Sequence, residues 1–187
     1  MVSSPSGDGA LHAARLRSWL GEVWVVTSER AVRYVQVRGR LDDRIAGNCV
    51  FWPEGGGPGI TSEALRQLEE YFRGERMAFN LPLDLRGTAF QRAVWQKTLE
   101  VPYGSTRAYS SIAKSLGMRG GARAVGSALA SNPIPLVIPC HRVIRSDGSP
   151  GGYSPSPGLK VMLLEFERNN LRRVDRRQET SSSERIT

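Results

Sequence analysis

The chain has 187 residues, 40% of them hydrophobic, and a formal net charge of +8. That is enough for one ordinary domain or two small ones around a sizeable core, and it excludes wholesale disorder. No stretch approaches the ~20 apolar residues of a membrane span, and two cysteines (Cys49, Cys140) with two histidines (His12, His141) are too few for a disulfide scaffold or a zinc set.

The opening MVSSPSGDGA lacks the basic start and apolar centre of a secretory signal, so a soluble, intracellular protein is expected. The cations are mostly arginine, the lysines being Lys97, Lys114 and Lys160. A basic balance is the footprint of a phosphate-bearing partner, although part of it lies in residues 172–187, RRVDRRQETSSSERIT, which read as a disordered basic tail.

Residues 1–9 are small and polar and read as a disordered leader. The run Trp24–Val26 and the alternation of Val35 and Val37 with Gln36 and Arg38 predict two strands with a turn near Ser28–Arg30, and Cys49–Trp52 a further short strand. GGGPG at 55–59 is a loop. A helix capped by Thr61 or Ser62 follows, with Leu65, Leu68 and Phe72 at helical spacing and Gly74 as its stop. FNLPLDL alternates, but Pro82 demotes it to an edge strand or an extended linker. The boundary falls near Arg86–Gly87: a domain of strands and helix over residues 10–85, then a mostly helical one over 86–171.

Thr88 with Gln91 makes a capping box that opens a helix through about Leu99. After PYGST, Tyr109, Ile112, Ala113 and Leu116 recur at i, i+3, i+4 and i+7, with Gly117 as the stop. Beyond MRGG, Ala122, Val125, Gly126 and Leu129 repeat the pattern. Two short helices around a glycine turn read as a helix-turn-helix. Opposite the packing side of the second helix lie Arg123, Ala124, Ser127 and Ala128, one arginine among very small residues. Such a face either admits a close-approaching surface or packs on a neighbouring element.

Residues 133–144, PIPLVIPCHRVI, carry the chemistry. A cysteine ending an apolar run is more often core than nucleophile. Against that, Pro133, Pro135 and Pro139 suit a rigid extended loop better than a central strand. His141 stands beside Cys140, and a thiol near neutral pH needs a base or a positive setting to become thiolate; adjacent residues in an extended chain face opposite ways, so the base would act through a water. In the last helix Leu159, Met162, Leu163 and Phe166 form an apolar stripe with Glu167 at its edge, either a boundary glutamate or the carboxylate that orients the imidazole. RSDGSPGGYSPSPG at 145–158 predicts an irregular loop that walls a pocket. The combination reads as cysteine chemistry on a DNA-binding scaffold. A DNA-binding module without chemistry stays open on these residues, and so does a cysteine hydrolase, though no motif marks an oxyanion hole.

FQRAVW (90–95), PYGST, Tyr109 with Ile112–Ala113, RAVGSAL (123–129), NPIPLVIPCHRVI (132–144), GGYS (151–154) and LLEFE (163–167) together resemble the O6-alkylguanine-DNA alkyltransferases, in family order over about residues 79–171. The resemblance implies an α/β (α+β) fold: a small ribonuclease H-like sheet-plus-helix domain, then a mostly helical domain with a DNA-binding helix-turn-helix. It implies irreversible, single-turnover transfer of an alkyl group from O6-alkylguanine, and less well from O4-alkylthymine, to Cys140. His141 would deprotonate Cys140 through a water, with Glu167 completing the relay and Asn132 the hinge before the active-site loop. Tyr109 would crowd the neighbouring phosphate and protonate the departing guanine. Val143, Tyr153, Ser154 and Pro135 would bind the base, and Arg123 would fill the gap left in the duplex. Gln91, Ser110, Ala124, Ser127 and Ser146 would join Tyr109 on the DNA, through the minor groove. Double-stranded DNA carrying O6-alkylguanine is the implied partner of a monomer, with no metal, no cofactor, no membrane and no obligate protein partner. The expected location is cytoplasmic, at the nucleoid, or nuclear in a eukaryote.

Overall fold

Four strands form one sheet in the order β3-β2-β1-β4: β1 (Leu11–Ser18), β2 (Gly21–Thr27), β3 (Val32–Val37) and β4 (Cys49–Phe51). β1 and β2 are antiparallel, with Ala13 opposite Val26 and Ala14 opposite Val25; β2 and β3 are antiparallel, and β4 adds in parallel to β1. This computed structural model describes residues 9–152 and 157–183, so most of the expected leader lies outside the described residues. β1 departs from expectation, since no strand is predicted there. Its sequence, LHAARLRS, interleaves small residues with arginines and hides the alternation that β2 and β3 display.

Successive side chains on a strand face opposite ways, which gives the sheet two apolar faces. Ala13 and Val26 form one cluster with Leu41, joined by Trp24 and by Ile45 and Ala46 of the short helix α1 (Asp43–Ala46). On the other face lies α2 (Gly59–Arg73), burying Ala64, Leu65, Leu68, Tyr71 and Phe72. α2 starts earlier than Thr61. Pro58, at ψ 154, is its cap, and the Thr61 hydroxyl is used instead on Thr27, 2.7 Å away, with both residues fully buried. Gly74 closes the helix at φ 77, a left-handed turn that glycine makes without a Cβ clash. FNLPLDL is extended: Val32 N–H donates to Pro82 O and Asp84 N–H to Val32 O.

These elements and residues up to Thr88 form one compact unit, and Pro133–Val137 belongs to it too, Val35 N–H donating to Pro133 O at 2.9 Å. The stretch predicted to lie wholly in the second domain is therefore shared, because its prolines leave carbonyls that a strand edge can use. Leu136 takes φ 75 there and is fully buried; a branched residue in the left-handed region costs about 1–3 kcal/mol and is held by its packing.

The second unit comprises Ala89–Asn132 and the chain from Ile138 onward. Its helices are α3 (Ala89–Leu99), α4 (Tyr109–Ser115), α5 (Ala122–Ala130) and α6 (Pro157–Ser183). β5 (Arg107–Ala108) pairs in parallel with β6 (Val143–Ile144). Trp95, on α3, is almost fully buried and its indole N–H donates to Ala128 O at 2.8 Å, tying α3 to α5. That bond corrects the predicted open face. Ala128 is buried under Trp95, and the exposed residues of α5 are Arg123, Ala124, Ser127 and Ala130. α6 corrects two further expectations. It runs on to Ser183, through the segment read as a disordered tail, which holds no glycine or proline to stop a helix. Its Met162 is 39% exposed, and the buried positions among its described side chains are Leu159, Lys160, Leu163 and Glu167. No helix among the described residues is long and apolar enough to cross a membrane.

Candidate active site

Cys140 opens a single 3-10 turn, Cys140–Arg142, rather than lying in an extended loop. A 3-10 turn sends three successive side chains three ways. Its backbone N–H donates to Ile138 O at 2.7 Å. Asn132, just past the end of α5, donates from Nδ2 to Ile138 O and to Cys140 Sγ, both at 3.0 Å. The residue expected as a hinge therefore also aims an N–H at the sulfur, where it favours negative charge. Cys140 is only 5% exposed, yet it lines a cavity of about 560 Å³ together with Arg123, Gly126 and Leu129 of α5, Tyr109 at the start of α4, and Arg145, Gly151 and Gly152. That volume is ordinary for a small-molecule pocket and admits a purine. The sulfur is not sealed in the core, and the arginine helix forms a wall of its opening.

Behind the cysteine is a buried charged network. His141 is fully buried, with Nε2 2.8 Å from Glu167 Oε1. Glu167 also accepts from the Arg142 guanidinium, Nε and Nη2 at 2.9–3.2 Å, and from Gly104 N–H at 2.9 Å. Burial pushes its carboxyl up, but the bonds and charges of His141 and Arg142 outweigh that and hold it at about 2. An ionised carboxylate only accepts, so the imidazole carries its hydrogen on Nε2 and a lone pair on Nδ1. Nδ1 is buried and meets no hydrogen-bond partner among the described residues. Burial lowers the His141 pKa, against the pull of Glu167, and Arg142 and Lys160 add to the lowering; the ring is a neutral base. Arg142 reaches on to Val101 O at 2.8 Å and lies over the Tyr103 ring. Gly104 is needed where it stands: φ is 70, and an added Cβ would collide with Leu171 Cδ1.

The PYGST turn, α4, α5, the 3-10 turn and α6 thus each bring one part of the site. Two family models match the chain, the 6-O-methylguanine DNA methyltransferase ribonuclease-like domain over residues 12–85 and the DNA-binding domain of the same methyltransferases over 89–169. A methylated-DNA–protein-cysteine methyltransferase of Methanosarcina acetivorans is 37% identical over 158 residues, 84% of this chain and 98% of the relative. The chain belongs to the 6-O-methylguanine DNA methyltransferase family. Another methylated-DNA–protein-cysteine methyltransferase, from Methanosarcina barkeri, is 52% identical over 110 residues, 59% of this chain and 70% of its own length. Among solved structures, the Mycobacterium tuberculosis O6-methylguanine methyltransferase superposes with TM-score 0.77 at 36% identity, covering 86% of this chain and 94% of that one. OGT of the same organism, solved in complex with DNA, superposes with TM-score 0.75 at 37% identity, covering 85% and 94%. The mixed fold, a ribonuclease-like sheet unit followed by a helical unit, is that of the methyltransferases.

The methyltransferase residues read from sequence fall unevenly. Asn132 donates to the Cys140 sulfur and His141 pairs with Glu167, the two pairs being joined through the 3-10 turn, and Tyr109 and Arg123 share the cavity with Cys140. Ser110, Ala124, Ser127 and Ser146 are exposed, and Gln91 donates to Ser131 Oγ at 2.9 Å. Pro135 is buried in the first unit and does not line the cavity. The Val143 carbonyl accepts from Lys160 Nζ at 2.5 Å. Tyr153 and Ser154 lie outside the described residues. Sequence reasoning missed Gly104, Arg142, Arg145 and Lys160. The signal for one of them was present: Leu159, Leu163 and Glu167 stand at i, i+4 and i+8, so the buried stripe ends in a charge and Lys160 lies beside its start.

Proposed function

We propose that this chain repairs alkylated DNA by moving the alkyl group from O6 of a guanine onto Cys140, once per molecule. The observation that carries the proposal is the position of Cys140, on a cavity walled by the Arg123 helix and in the same 3-10 turn as the His141 that pairs with Glu167. Cys49, the other cysteine, gives its S–H to Ile45 O at 3.2 Å and its pKa is raised by burial, so it makes a poor nucleophile.

The chemistry follows from the charges. Nδ1 of His141 takes the thiol proton through an intervening water, and Glu167 holds the imidazolium that results. Asn132 steadies the thiolate. The sulfur attacks the alkyl carbon, the carbon–O6 bond breaks, and its electron pair leaves with guanine. An anionic purine is a poor leaving group unless protonated as it departs, which gives the Tyr109 phenol, on the same cavity, its role as acid. A thioether does not hydrolyse readily, so the protein is consumed.

A base stacked in duplex cannot reach this sulfur and must be extruded, at a cost of a few kcal/mol. The exposed face of α5, with Ala124 and Ser127 around Arg123, lets a minor groove approach closely while one guanidinium enters the stack. O4-alkylthymine fits the same chemistry with a smaller ring and is expected to react more slowly.

The test is incubation with duplex containing O6-methylguanine, followed by peptide mass analysis. The Cys140 peptide gains one methyl mass, and Cys140→Ala still binds duplex without transfer; an unmodified Cys140 peptide after full exposure rejects the proposal. Arg123→Ala should slow repair of duplex far more than reaction with free O6-benzylguanine, because only duplex requires extrusion. Equal losses on both would remove the flipping role.

A further inference from the structure

α2 and α6 carry surface charge differently. On α2 the arginines are answered along the helix: Arg66 pairs with Glu63 and Glu70, and Arg73 with Glu69. On α6, Arg168, Arg172, Arg173 and Arg176 are all exposed. Among the described residues no carboxylate pairs with Arg168, Arg172 or Arg173, and Glu165, one turn before them, is exposed as well. The stretch 168–177 holds five arginines and one aspartate. Arg168, Arg172 and Arg176 stand at i, i+4 and i+8, which puts them on one face of the helix. Like charges at that spacing repel one another, and a partner with its own row of negative charge relieves the repulsion where single counter-ions do so weakly.

This face is held in place on the second unit. At the start of α6, Lys160 Nζ donates to Val143 O at 2.5 Å, Tyr109 Oη at 3.0 Å and Gly152 O at 3.4 Å, and Tyr109 and Gly152 line the Cys140 cavity. Three turns on, Leu171 packs at Gly104 and Asn170 donates to Tyr103 Oη at 3.3 Å. Arg168 and Arg176 therefore stand about 12 and 24 Å along the helix from Lys160, within the roughly 34 Å of one duplex turn. The step between successive arginines, about 6 Å, is close to the about 7 Å of duplex axis between alternate phosphates of one strand. We propose that Arg168, Arg172 and Arg176 form a second seat for the phosphate backbone of the duplex that α5 engages, on the stretch flanking the extruded base. Each guanidinium gives a charge-assisted, sequence-independent contact. The inference takes from the proposed function only that duplex DNA is the partner, and it needs no alkyl transfer.

The experiment measures binding to lesion-free duplex of about three turns across a salt series. A phosphate neutralised by a cation releases its counter-ion, so the slope of log affinity against log salt counts the contacts. The triple variant with Arg168→Gln, Arg172→Gln and Arg176→Gln should show a slope shallower by about 2–3 and bind about ten-fold or more weakly at low salt, with an unchanged melting temperature. The matching triple variant to lysine keeps the charges and should keep the slope. Should the glutamine variant unfold, single replacements that each lower the slope by about one give the same reading. If the wild-type protein does not bind duplex at all, the reading of DNA as partner fails. If it binds and the glutamine variant binds with the same slope, only the seat on α6 fails. Two differently labelled duplexes brought together by the wild type and not by the variant would put these arginines on a second duplex, and their place on the flanking backbone would be overturned.

Discussion

The two units handle charge in opposite ways. In the first, arginines meet carboxylates mostly at the surface, Arg66 with Glu63 and Glu70, Arg73 with Glu69, Arg76 with Glu70, and the buried Arg33 is paired with Asp84 away from any reactive group. The surface pairs trade hydration for a screened attraction and are replaceable. In the second, His141, Arg142, Lys160 and Glu167 are all buried. Removing charges from water is costly, and apolar residues of equal volume often serve stability as well or better. A fold that buries four such groups in the unit that carries Cys140 is spending stability on chemistry. One unit can thus be read from its packing alone, and the other only when its reaction is considered.

The sharpest way to break that contrast is to neutralise one carboxylate in each unit. Glu167→Gln leaves the Arg142 guanidinium buried against a neutral amide and removes the partner of the imidazole. It should cost about 3–5 kcal/mol in denaturant unfolding and abolish methyl transfer. Glu70→Gln, which also loses two arginine partners, should leave both the melting temperature and the transfer rate unchanged. Comparable losses in the two variants would end the distinction.

What the sequence made legible follows the same line. Where burial is apolar and patterned, the residues announce it: Trp24–Val26 form an apolar run, Val35 and Val37 alternate on their strand, and Leu65, Leu68 and Phe72 mark α2. The Cys140–His141 pair with the Arg123 helix was legible because few folds need that combination. β1 was not, because Ala13 and Ala14 carry little hydrophobic signal and Arg15 and Arg17 interrupt it. Lys160 was missed for a physical reason: it stands beside the start of the buried stripe, but a lysine is a poor core residue by composition, and its three oxygen partners are what explain it. Ala128 and Met162 erred in opposite directions, since a small residue fits under Trp95 and a flexible one tolerates exposure.

The pH dependence of stability gives a second, smaller contrast. The folded-state pKa of His141 is depressed by burial, so below about pH 6.5 the unfolded chain binds a proton that the native state refuses. Its contribution is complete above that pH and is lost as the pH falls, at about 1.4 kcal/mol per unit. Glu167, held at about 2 against 4.5, acts in the same direction lower down, its stabilisation present above 4.5 and lost toward 2. Urea unfolding at about pH 7 and pH 5.5 should therefore show a weaker protein at the lower value, and His141→Gln should remove most of that difference. A wild-type midpoint that does not move between the two would mean that the imidazole is protonated in the native state, and the neutral-base reading would go with it.

The smallest effect concerns the buried polar pair of the first unit. Thr27 and Thr61 share one hydrogen bond at 2.7 Å with no charge nearby to serve. Thr61→Val alone strands the Thr27 hydroxyl in the interior, which costs about 1–3 kcal/mol. Replacing both by valine removes donor and acceptor together in side chains of nearly the same shape, so the double variant should recover to within about 1 kcal/mol of wild type. Its transfer rate should be unaffected. A double-mutant cycle by urea unfolding measures the coupling directly. Recovery would mark this pair as a local solution to burying two hydroxyls, where no paired substitution at His141 and Glu167 could restore function. If the double variant is as weak as the sum of the singles, polar groups are indispensable to the first unit as well, and the division of labour drawn between the units would have to rest on reactivity alone.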